Sequence, residues 1–537
     1  MRDERPPVNR REFVKMVGGA AALAAGLSDF GNAGLEAQTV TAPGPDASER
    51  ELALAALDAA RSVGALYADV RIVRALSESI GTRERQITNV NKSESYGIGI
   101  RAFVGGSWGF AATRDLSRDA VTRSAREAVA TAAANDRVAP NRITLAPVDK
   151  VPDGRWITPH LVDPFSVSLE SKAELLFRIN DEALKVKGVR FVTSNVTSLK
   201  ESRLLATTDG SVIQQTFIRV SPNVNVTAVA ADNSDSQTRG AAVGPAGMGW
   251  EYVTSLTLPE RTIQYASEAV AKLSAPPVEA GTWDLVLHPS HLWLTIHESI
   301  AHPSELDRAL GYEANYAGTT FLAPPDKVLG KFRLGQPLMT FVANRTEKGG
   351  CATVGWDDEG IAATSYPIVD KGLFVSYQSA TREMIDLVAP ISTLKKAPGH
   401  SYGQDWASIP FPRMPNVSLQ PAARNISEDD VIGSVNRGIY IEGDGSYSID
   451  QQRYNFQFGG QTFWEIRNGK KTRQLRDVAY VARTPDFWNS MAMIGGRQTY
   501  QLGGALSDAK GQPGQLNSVS HGCPIALFRN VNVIRTA

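Results

Sequence analysis

A pair of adjacent prolines, Pro276 and Pro277, constrains the fold of this chain more than any other feature of the sequence. An α-helix seldom runs through such a pair, because proline has no backbone N–H to donate and its ring clashes with the preceding turn. The helical pattern at 260–273 should therefore end there. A chain of 537 residues is also too long for one ordinary core, since a domain has about 150 residues. We therefore expect two folded halves, at 48–278 and 281–537.

The first half has the mixed pattern of an α+β domain, in which helical spacing of apolar residues alternates with short runs typical of antiparallel strands. Helices are expected at 49–63, 115–135, 168–186 and 260–273, and strands at 68–75, 86–95 and 97–104. A four-strand meander is expected at 189–197, 201–208, 212–220 and 223–230. Asp209 and Gly210 lie within it, and such a pair is typical of tight turns.

The second half is dominated by strand patterns separated by glycines, at 283–288, 338–343, 369–373, 439–442, 455–458, 463–467 and 531–534. One clear helix interrupts them at about 291–302, with Ser290 as its expected N-cap. The expected fold class is therefore α+β. It combines an N-terminal α/β domain of antiparallel sheet and helices with a C-terminal strand-rich domain that carries this one helix.

Residues 1–37 have the pattern of a targeting signal and linker. Arg10 and Arg11 precede an apolar run rich in glycine and alanine at 16–27, and together they resemble a twin-arginine export signal. A run of this length is too short to cross a bilayer core of about 30 Å as a helix, so we expect no stable membrane anchor. We expect export to the periplasm or beyond, and a cytoplasmic protein if the signal is not used.

The charge balance and the cysteine content exclude two classes of protein. Because 56 basic residues are matched by 56 acidic ones, no basic excess can neutralise a polyphosphate, and we expect no nucleic-acid partner. The two cysteines, Cys351 and Cys523, are too few for a disulfide framework. They leave room for one bridge or one metal-bound thiolate.

His297, Glu298 and His302 form the cluster with the clearest chemical meaning. Imidazole nitrogens are common zinc ligands, and a glutamate beside them can take a proton from an attacking water. Metal-binding helices of this kind usually space their histidines by four residues, about 40° apart around the axis, whereas a spacing of five gives about 140°. A regular helix would therefore point the two imidazoles in different directions.

Pro303 predicts how this helix departs from regular geometry. Its ring clashes with the carbonyl of Ser299, so the turn at 299–303 should open or bulge. A π-type bulge takes up one extra residue and would turn His302 back toward His297. In a regular helix, the two histidines would instead be helix-end residues capped by carbonyls.

The pattern H-E-x-x-x-H-x-x-E, which runs from His297 to Glu305, is similar to the motif of the TldD/PmbA family of metalloproteases. Segments at 356–360, 369–373, 412–416, 459–463 and 468–470 resemble, in order, that family's D-D-E-G, I-E-x-G-x-L, P-R-M-T-N, glycine-rich and E-N-G-K segments. These matches span roughly residues 50–537, so the chain is identified as a member of the family. The resemblance implies that Zn²⁺ binds His297 and His302 and that Glu298 is the catalytic acid–base.

The third zinc ligand is where this sequence departs from the family. The resemblance implies a cysteine in a C-G-K-x-G-Q stretch, but the matching stretch at 509–515 contains none. Cys523, eight residues beyond it, is the preferred ligand, because a loop of that length could return a thiolate to the metal. His521 and Glu305 are the alternatives.

Two functions follow from the resemblance. The first is zinc-dependent hydrolysis of unfolded peptides or proteins, which the intact His297, Glu298 and His302 favour. The alternative is a non-catalytic, TldE/PmbA-like structural or substrate-binding partner of an active subunit, which the displaced cysteine favours. In both cases the family implies a dimer, formed with a second copy or with a PmbA/TldE-like paralogue.

Overall fold

The structure, a computed structural model, describes Gly44, residues 46–385 and residues 396–536. The arginine pair and the apolar run of the expected export signal lie outside these residues. Within the described residues, no helix combines the length and the apolar character needed to cross a membrane.

The first half is built on one seven-stranded sheet, antiparallel except at β4. Its strands are β1 Tyr67–Arg83, β2 Gln86–Val104, β3 Ser107–Thr113, β4 Gly154–Ile157, β5 Val189–Thr207, β6 Val212–Val229 and β7 Ser236–Gly240. Their order in space is β3-β2-β1-β5-β6-β4, with β7 also paired to β6, and β4 runs parallel to β6. The long strands give the sheet enough area to pack two separate groups of helices.

In the described part of the chain, five helices cover this sheet: α1 Ala47–Ser62, α2 Arg118–Asp136, α3 Leu169–Leu184, α4 Trp250–Ser255 and α5 Leu258–Lys272. Residues of α1 and α2 share one apolar cluster with β1 and β2. Residues of α3, α4 and α5 share a second cluster with β5 and β6. The helices predicted from apolar spacing are confirmed, each to within a few residues at its ends.

The expected four-strand meander is wrong, because residues 189–229 form only two long strands, β5 and β6. The turn between them contains Gly210, whose φ of +93° favours glycine. Pro222 does not break β6, since it stays in register opposite Val196. The expected strands at 86–95 and 97–104 are likewise one strand, β2, which continues through Gly97. Glycine is required there because a Cβ would come within 2.4 Å of the Trp406 ring.

The second half contains the remaining strands: β8 Gly281–Leu287, β9 Phe341–Asn344, β10 Ser365–Asp370, β11 Leu373–Phe374, β12 Ser401–Tyr402, β13 Phe411–Pro412, β14 Asn416–Leu419, β15 Arg437–Ile449, β16 Asn455–Arg467, β17 Lys470–Leu475, β18 Val478–Arg483, β19 Met491–Ile494, β20 Gln501–Lys510, β21 Gln515–Cys523 and β22 Ala526–Arg535. Five of them close into a barrel in the order β15-β8-β22-β18-β16, because β16 also pairs with β15. Strands β9, β10, β11 and β14 form a small sheet outside the barrel, and β20 and β21 form a hairpin.

The helix expected at 291–302 is confirmed, with a different start. Helix α6, Pro289–Ile296, begins after His288, whose side chain caps it by accepting a hydrogen bond from the Ser290 backbone N–H. His288 is therefore the N-cap, and the assignment of Ser290 to that position is wrong. Among the residues that the structure describes in this half, four further short helices follow: α7 Leu306–Ala309, α8 Pro325–Val328, α9 Glu428–Gly433 and α10 Thr484–Asn489.

The bulge predicted from Pro303 is confirmed. After α6 the backbone widens into a π-helix at His297–Ala301 and then tightens into a 3₁₀ turn at His302–Ser304. This segment is buried between the barrel and the β20–β21 hairpin. The π-helix therefore begins at His297 and the 3₁₀ turn begins at His302, which are the two histidines predicted to bind metal.

Candidate metal centre

The π-helical segment brings His297, Glu298 and His302 together. Their imidazole and carboxylate ligand atoms all lie within 4.8 Å of one another, and the two imidazole ring centres are 4.5 Å apart. The extra residue per turn compensates for the spacing of five. All three side chains are buried, so the segment forms an enclosed group of nitrogen and oxygen donors that a metal ion could bind.

The orientation of His297 is set by a chain of hydrogen bonds. Its Nδ1 lies 2.8 Å from Nε2 of His521, whose own Nδ1 lies 2.9 Å from the backbone carbonyl of Val417. Because a carbonyl only accepts, His521 donates from Nδ1 and accepts at Nε2 the proton of His297. His297 therefore keeps the lone pair of its Nε2, which is the state a metal-binding imidazole needs.

His302 is held in the same way by a buried carboxylate. Its Nδ1 donates to Glu305 Oε2 at 3.0 Å, which leaves Nε2 with a lone pair. The Glu305 carboxylate also accepts hydrogen bonds from Arg308 at 3.0 Å and from Lys510 at 2.9 Å. Both oxygens of Glu305 are thus engaged, and the structure places this residue behind His302.

A residue that the sequence analysis did not select, Asp508, faces both histidines. Its Oδ1 lies 3.6 Å from Nε2 of His297 and 3.8 Å from Nε2 of His302. Asp508 lies on β20, two residues before Lys510. A signal was present in the sequence, because Asp508 lies two residues before Lys510, just as the cysteine lies two residues before the lysine in C-G-K-x-G-Q.

The structure does not bring Cys523 into this group. The Cys523 thiol is fully buried in the apolar core and lies 3.7 Å from the backbone carbonyl of Pro289. Pro289 begins α6 and precedes His297 by eight residues, which corresponds to about 12 Å along a helix. Burial also raises the pKa of the Cys523 thiol, so the thiolate that would bind a metal is disfavoured.

Glu298 is flanked by two side chains, Tyr447 of β15 and Arg453 of the connection between β15 and β16. Its Oε2 accepts a hydrogen bond from Arg453 Nη1 at 2.6 Å, and the nearby Tyr447 hydroxyl helps to lower the pKa of Glu298. No motif or spacing pointed to either residue, since both lie about 150 positions away along the chain. Both reach Glu298 because β15 and β16 are part of the barrel wall against which α6 packs.

The pKa shifts describe a site prepared for a cation. Burial raises the pKa of Glu298, but the charges of His302, His297 and Arg453 outweigh burial and hold this pKa below its usual value. The Asp508 carboxyl also has a lowered pKa, because its interactions with the two histidines outweigh the effect of burial. Burial lowers the pKa of His297, but Asp508 and Glu298 together raise it by more. Burial and the charge of His297 lower the pKa of His302. Both carboxylates therefore stay ionised beside the imidazoles.

A groove of about 740 Å³ lies next to this group. It is lined by Trp293, one helical turn before His297, and by the β20 residues Gln501 to Gly504. The Trp293 indole stacks on the His521 imidazole with ring centres 6.3 Å apart. The groove is thus in contact with the residues that orient His297.

Three sequence models of one family match this chain in order. The PmbA/TldA metallopeptidase domain 1 matches residues 68–133, the central domain matches 162–275, and the C-terminal domain matches 280–535. The last match contains the π-helical segment, Asp508 and His521.

Several curated relatives are similar over most of their length. A metalloprotease of Methanocaldococcus jannaschii is 24% identical over 416 residues, which cover 77% of this chain and 86% of the relative. A metalloprotease of Methanothermobacter thermautotrophicus is 25% identical over 468 residues, with coverage of 87% and 95%. The zinc metalloprotease TldD homolog of Saccharolobus solfataricus is 20% identical over 480 residues, with coverage of 88% and 98%.

Solved structures show the same fold. TldE from Thermococcus kodakarensis superimposes with a TM-score of 0.69 at 12% identity, covering 91% of this chain and all (100%) of that one. A Thermotoga maritima protein gives a TM-score of 0.71 at 13% identity, covering 90% and 100%. With three domain models matched in order and curated relatives named as metalloproteases, the chain belongs to the PmbA/TldD family of metallopeptidases.

Proposed function

We propose that this protein is a zinc-dependent peptidase that hydrolyses peptide bonds in unfolded peptides or proteins. The observation that carries this proposal is the convergence of the His297 and His302 imidazoles beside the Glu298 carboxylate, within 4.8 Å. Two imidazoles, each with its other nitrogen engaged by a hydrogen bond, are a donor set typical of zinc. When bound there, zinc would polarise the scissile carbonyl and favour ionisation of water near neutral pH.

Glu298 is the residue that moves protons in this proposal. It accepts a proton from the attacking water as the C–O bond forms, and it delivers that proton to the nitrogen of the leaving amine as the C–N bond breaks. Arg453, 2.6 Å away, holds the carboxylate ionised and aimed at the site. His521 and Glu305 keep the two imidazoles in place through hydrogen bonds to their Nδ1 atoms.

An extended peptide is the substrate that best fits the surroundings. Strand β20 pairs with β21 on one side, and among the described residues no strand pairs with its other edge. Residues Gln501 to Gly504 of β20 line the groove beside Trp293. A peptide that pairs with a strand edge is recognised through its backbone, which an unfolded chain exposes and a folded one does not.

The partner and the location are part of the proposal. The structural neighbour from Thermococcus kodakarensis is a TldE, which favours a dimer of this chain with itself or with a TldE/PmbA-like paralogue. The Arg10–Arg11 pair favours export. In the alternative function, this chain is the non-catalytic partner of an active subunit.

Glu298→Gln should retain zinc and lose peptide hydrolysis, because the histidines bind the metal while the glutamate transfers protons. A general acid–base contributes roughly 10²–10⁴-fold to the rate. The measurements are zinc content and cleavage of an unfolded casein-type substrate. Glu279→Gln is the matched control, since the Glu279 side chain is 85% exposed.

If wild-type protein holds zinc and cleaves nothing alone or with a paralogue, the peptidase proposal fails. If cleavage requires a paralogue and survives in Glu298→Gln, the protein is the non-catalytic partner.

Replacing Arg10 and Arg11 by lysines should leave the full-length precursor in the cytoplasm, because a receptor reads the arginine pair. Cell fractionation of wild type and variant measures this. Normal export of the variant, or no export of the wild type, would contradict the export proposal.

A further inference from the structure

The structure contains a carboxylate where the family motif predicts a thiolate. Asp508 is 7% exposed, and its Oδ1 lies 3.6 Å and 3.8 Å from the Nε2 atoms of His297 and His302. Donors bound tetrahedrally to one zinc ion at about 2.0–2.1 Å lie about 3.3–3.4 Å apart. Both distances from Asp508 Oδ1 are therefore within about half an ångström of the separation that a shared zinc ion would require.

The surrounding structure prepares Asp508 for this position. Pairing between β20 and β21 shifts register between Ala505 and Asp508, after which Asp508 lies opposite Asn517. Arg413 binds both the Asp508 backbone carbonyl, at 2.6 Å, and its Oδ2, at 3.3 Å. One carboxylate oxygen is thus held from behind, and the other is turned toward the two histidines.

The other candidates for a third ligand are already engaged elsewhere. Both nitrogens of His521 are used, one on His297 and one on the Val417 carbonyl. Both oxygens of Glu305 are used by His302, Arg308 and Lys510. The Cys523 thiol faces the carbonyl of Pro289 at the other end of α6.

We propose that Asp508 is the third protein ligand of the metal, through Oδ1, and that this chain therefore has a His₂–carboxylate site without a thiolate. The inference rests on the proposed metal site and deepens it. An oxygen donor is harder than sulfur, so the site should accept Co²⁺ or Mn²⁺ in place of Zn²⁺ more readily than a thiolate site does.

Co²⁺ absorption spectroscopy of the full chain tests the ligand directly, because a thiolate bound to Co²⁺ gives an intense near-ultraviolet charge-transfer band and a carboxylate does not. We expect wild-type protein to bind Co²⁺ without this band. Asp508→Cys should gain the band, and Cys523→Ala should have the wild-type spectrum. A band in the wild-type protein that disappears in Cys523→Ala would overturn the proposal.

Metal affinity gives a second, independent measurement. Asp508→Ala should weaken Zn²⁺ binding more than about 100-fold, beyond the 10–100-fold typical of residues that only support a ligand. Cys523→Ala should stay within about threefold of wild type. Wild-type affinity in a folded Asp508→Ala variant, checked by circular dichroism, would overturn the proposal. If Asp508→Ala does not fold, the Co²⁺ spectra of wild type and Asp508→Cys test the identity of the ligand instead.

Neither measurement depends on peptide cleavage. A protein that binds metal through Asp508 yet cleaves nothing would therefore refute only the peptidase activity.

Discussion

At the scale of single residues, the site depends on giving each imidazole nitrogen a defined partner. His297 and His302 each donate from Nδ1, to His521 and to Glu305 respectively, and so both present Nε2 to the same point. Burial lowers the pKa of His521 well below its usual value, which keeps that ring neutral and able to accept at Nε2. Without these partners, each ring could rotate or change tautomer.

His521→Ala should weaken Zn²⁺ binding about 10–100-fold, because loss of a hydrogen-bond partner behind a metal-binding histidine has effects of this size. Isothermal titration with Zn²⁺ measures the change. Cys523→Ala is the matched control, since Cys523 lies two residues along the same strand and should leave the affinity near that of wild type. A larger loss in Cys523→Ala than in His521→Ala would support the thiol as the ligand.

At the scale of elements, close packing between α6 and the β20–β21 hairpin places Asp508. Gly503 lies against the Trp293 side chain so closely that a Cβ would come within 2.2 Å of the indole. Its neighbour Gly504 lies equally close to the backbone of β21, where a Cβ would be 2.2 Å from the Val519 carbonyl oxygen. Only glycine leaves enough space at these two positions. The absence of side chains there sets the distance between α6 and β20.

Gly503→Ala should push β20 away from α6, because the new Cβ would meet the base of the Trp293 side chain, at 2.2 Å from Cγ and 2.7 Å from Cβ, which a rotation of the ring cannot clear. Overpacking of this kind costs about 1–3 kcal/mol of unfolding free energy, and the displaced Asp508 should weaken Zn²⁺ binding as well. Chemical denaturation and zinc titration measure the two effects. Gly433→Ala is the control, because a Cβ at Gly433 meets no atom within 4 Å. Unchanged zinc affinity in Gly503→Ala would show that Asp508 is positioned independently of this contact.

At the scale of the whole molecule, a buried carboxylate joins the two halves. Asp358, in the segment that resembles the family's D-D-E-G, accepts hydrogen bonds from Arg203 of β5 at 2.6 Å and from the backbone of Gly403 at 2.7 Å. Arg71 of β1 lies 3.4 Å away. This ion pair across the interface explains why a charged motif is buried.

Asp358→Asn should lower the unfolding free energy by about 3–5 kcal/mol, because it leaves the buried Arg71 guanidinium without its paired carboxylate and Arg203 with Glu201 alone. Burial raises the pKa of Asp358, but Arg203 and Arg71 outweigh it and hold the folded-state pKa below the ordinary 3.8. The stabilisation by the carboxylate is therefore present above about pH 4 and is lost as the pH falls through the folded-state pKa. Denaturation at several pH values should show the difference between wild type and variant shrinking in acid.

Asp486→Asn is the control for this prediction, because Asp486 pairs with Arg483 at the surface, where both side chains are more than half exposed. Its unfolding midpoint should stay close to that of wild type. Equal midpoints for wild type and Asp358→Asn at pH 7 would contradict the role assigned to the buried ion pair.

The sequence by itself determined those features that depend on neighbours along the chain. Apolar spacing located the long helices, Pro303 predicted the π-helical turn, and the order of short motifs identified the family. These features are local, because a helix, a turn or a bulge is set by residues within a few positions of one another. The breaks between strands were less certain, since Gly97 and Pro222 continue their strands for reasons of packing and pairing that lie elsewhere in the chain.

Only the tertiary structure decided which distant side chains meet at the site. Cys523 and Asp508 lie only 15 positions apart in the sequence, and chemical type alone favoured the thiol. The register shift in β20 and the contact of Gly503 with Trp293 turn Asp508 toward His297, while Cys523 faces the start of α6. Arg453 and His521 reach the site through the barrel wall and the hairpin. Such contacts depend on how whole elements pack, and no spacing along the chain encodes them.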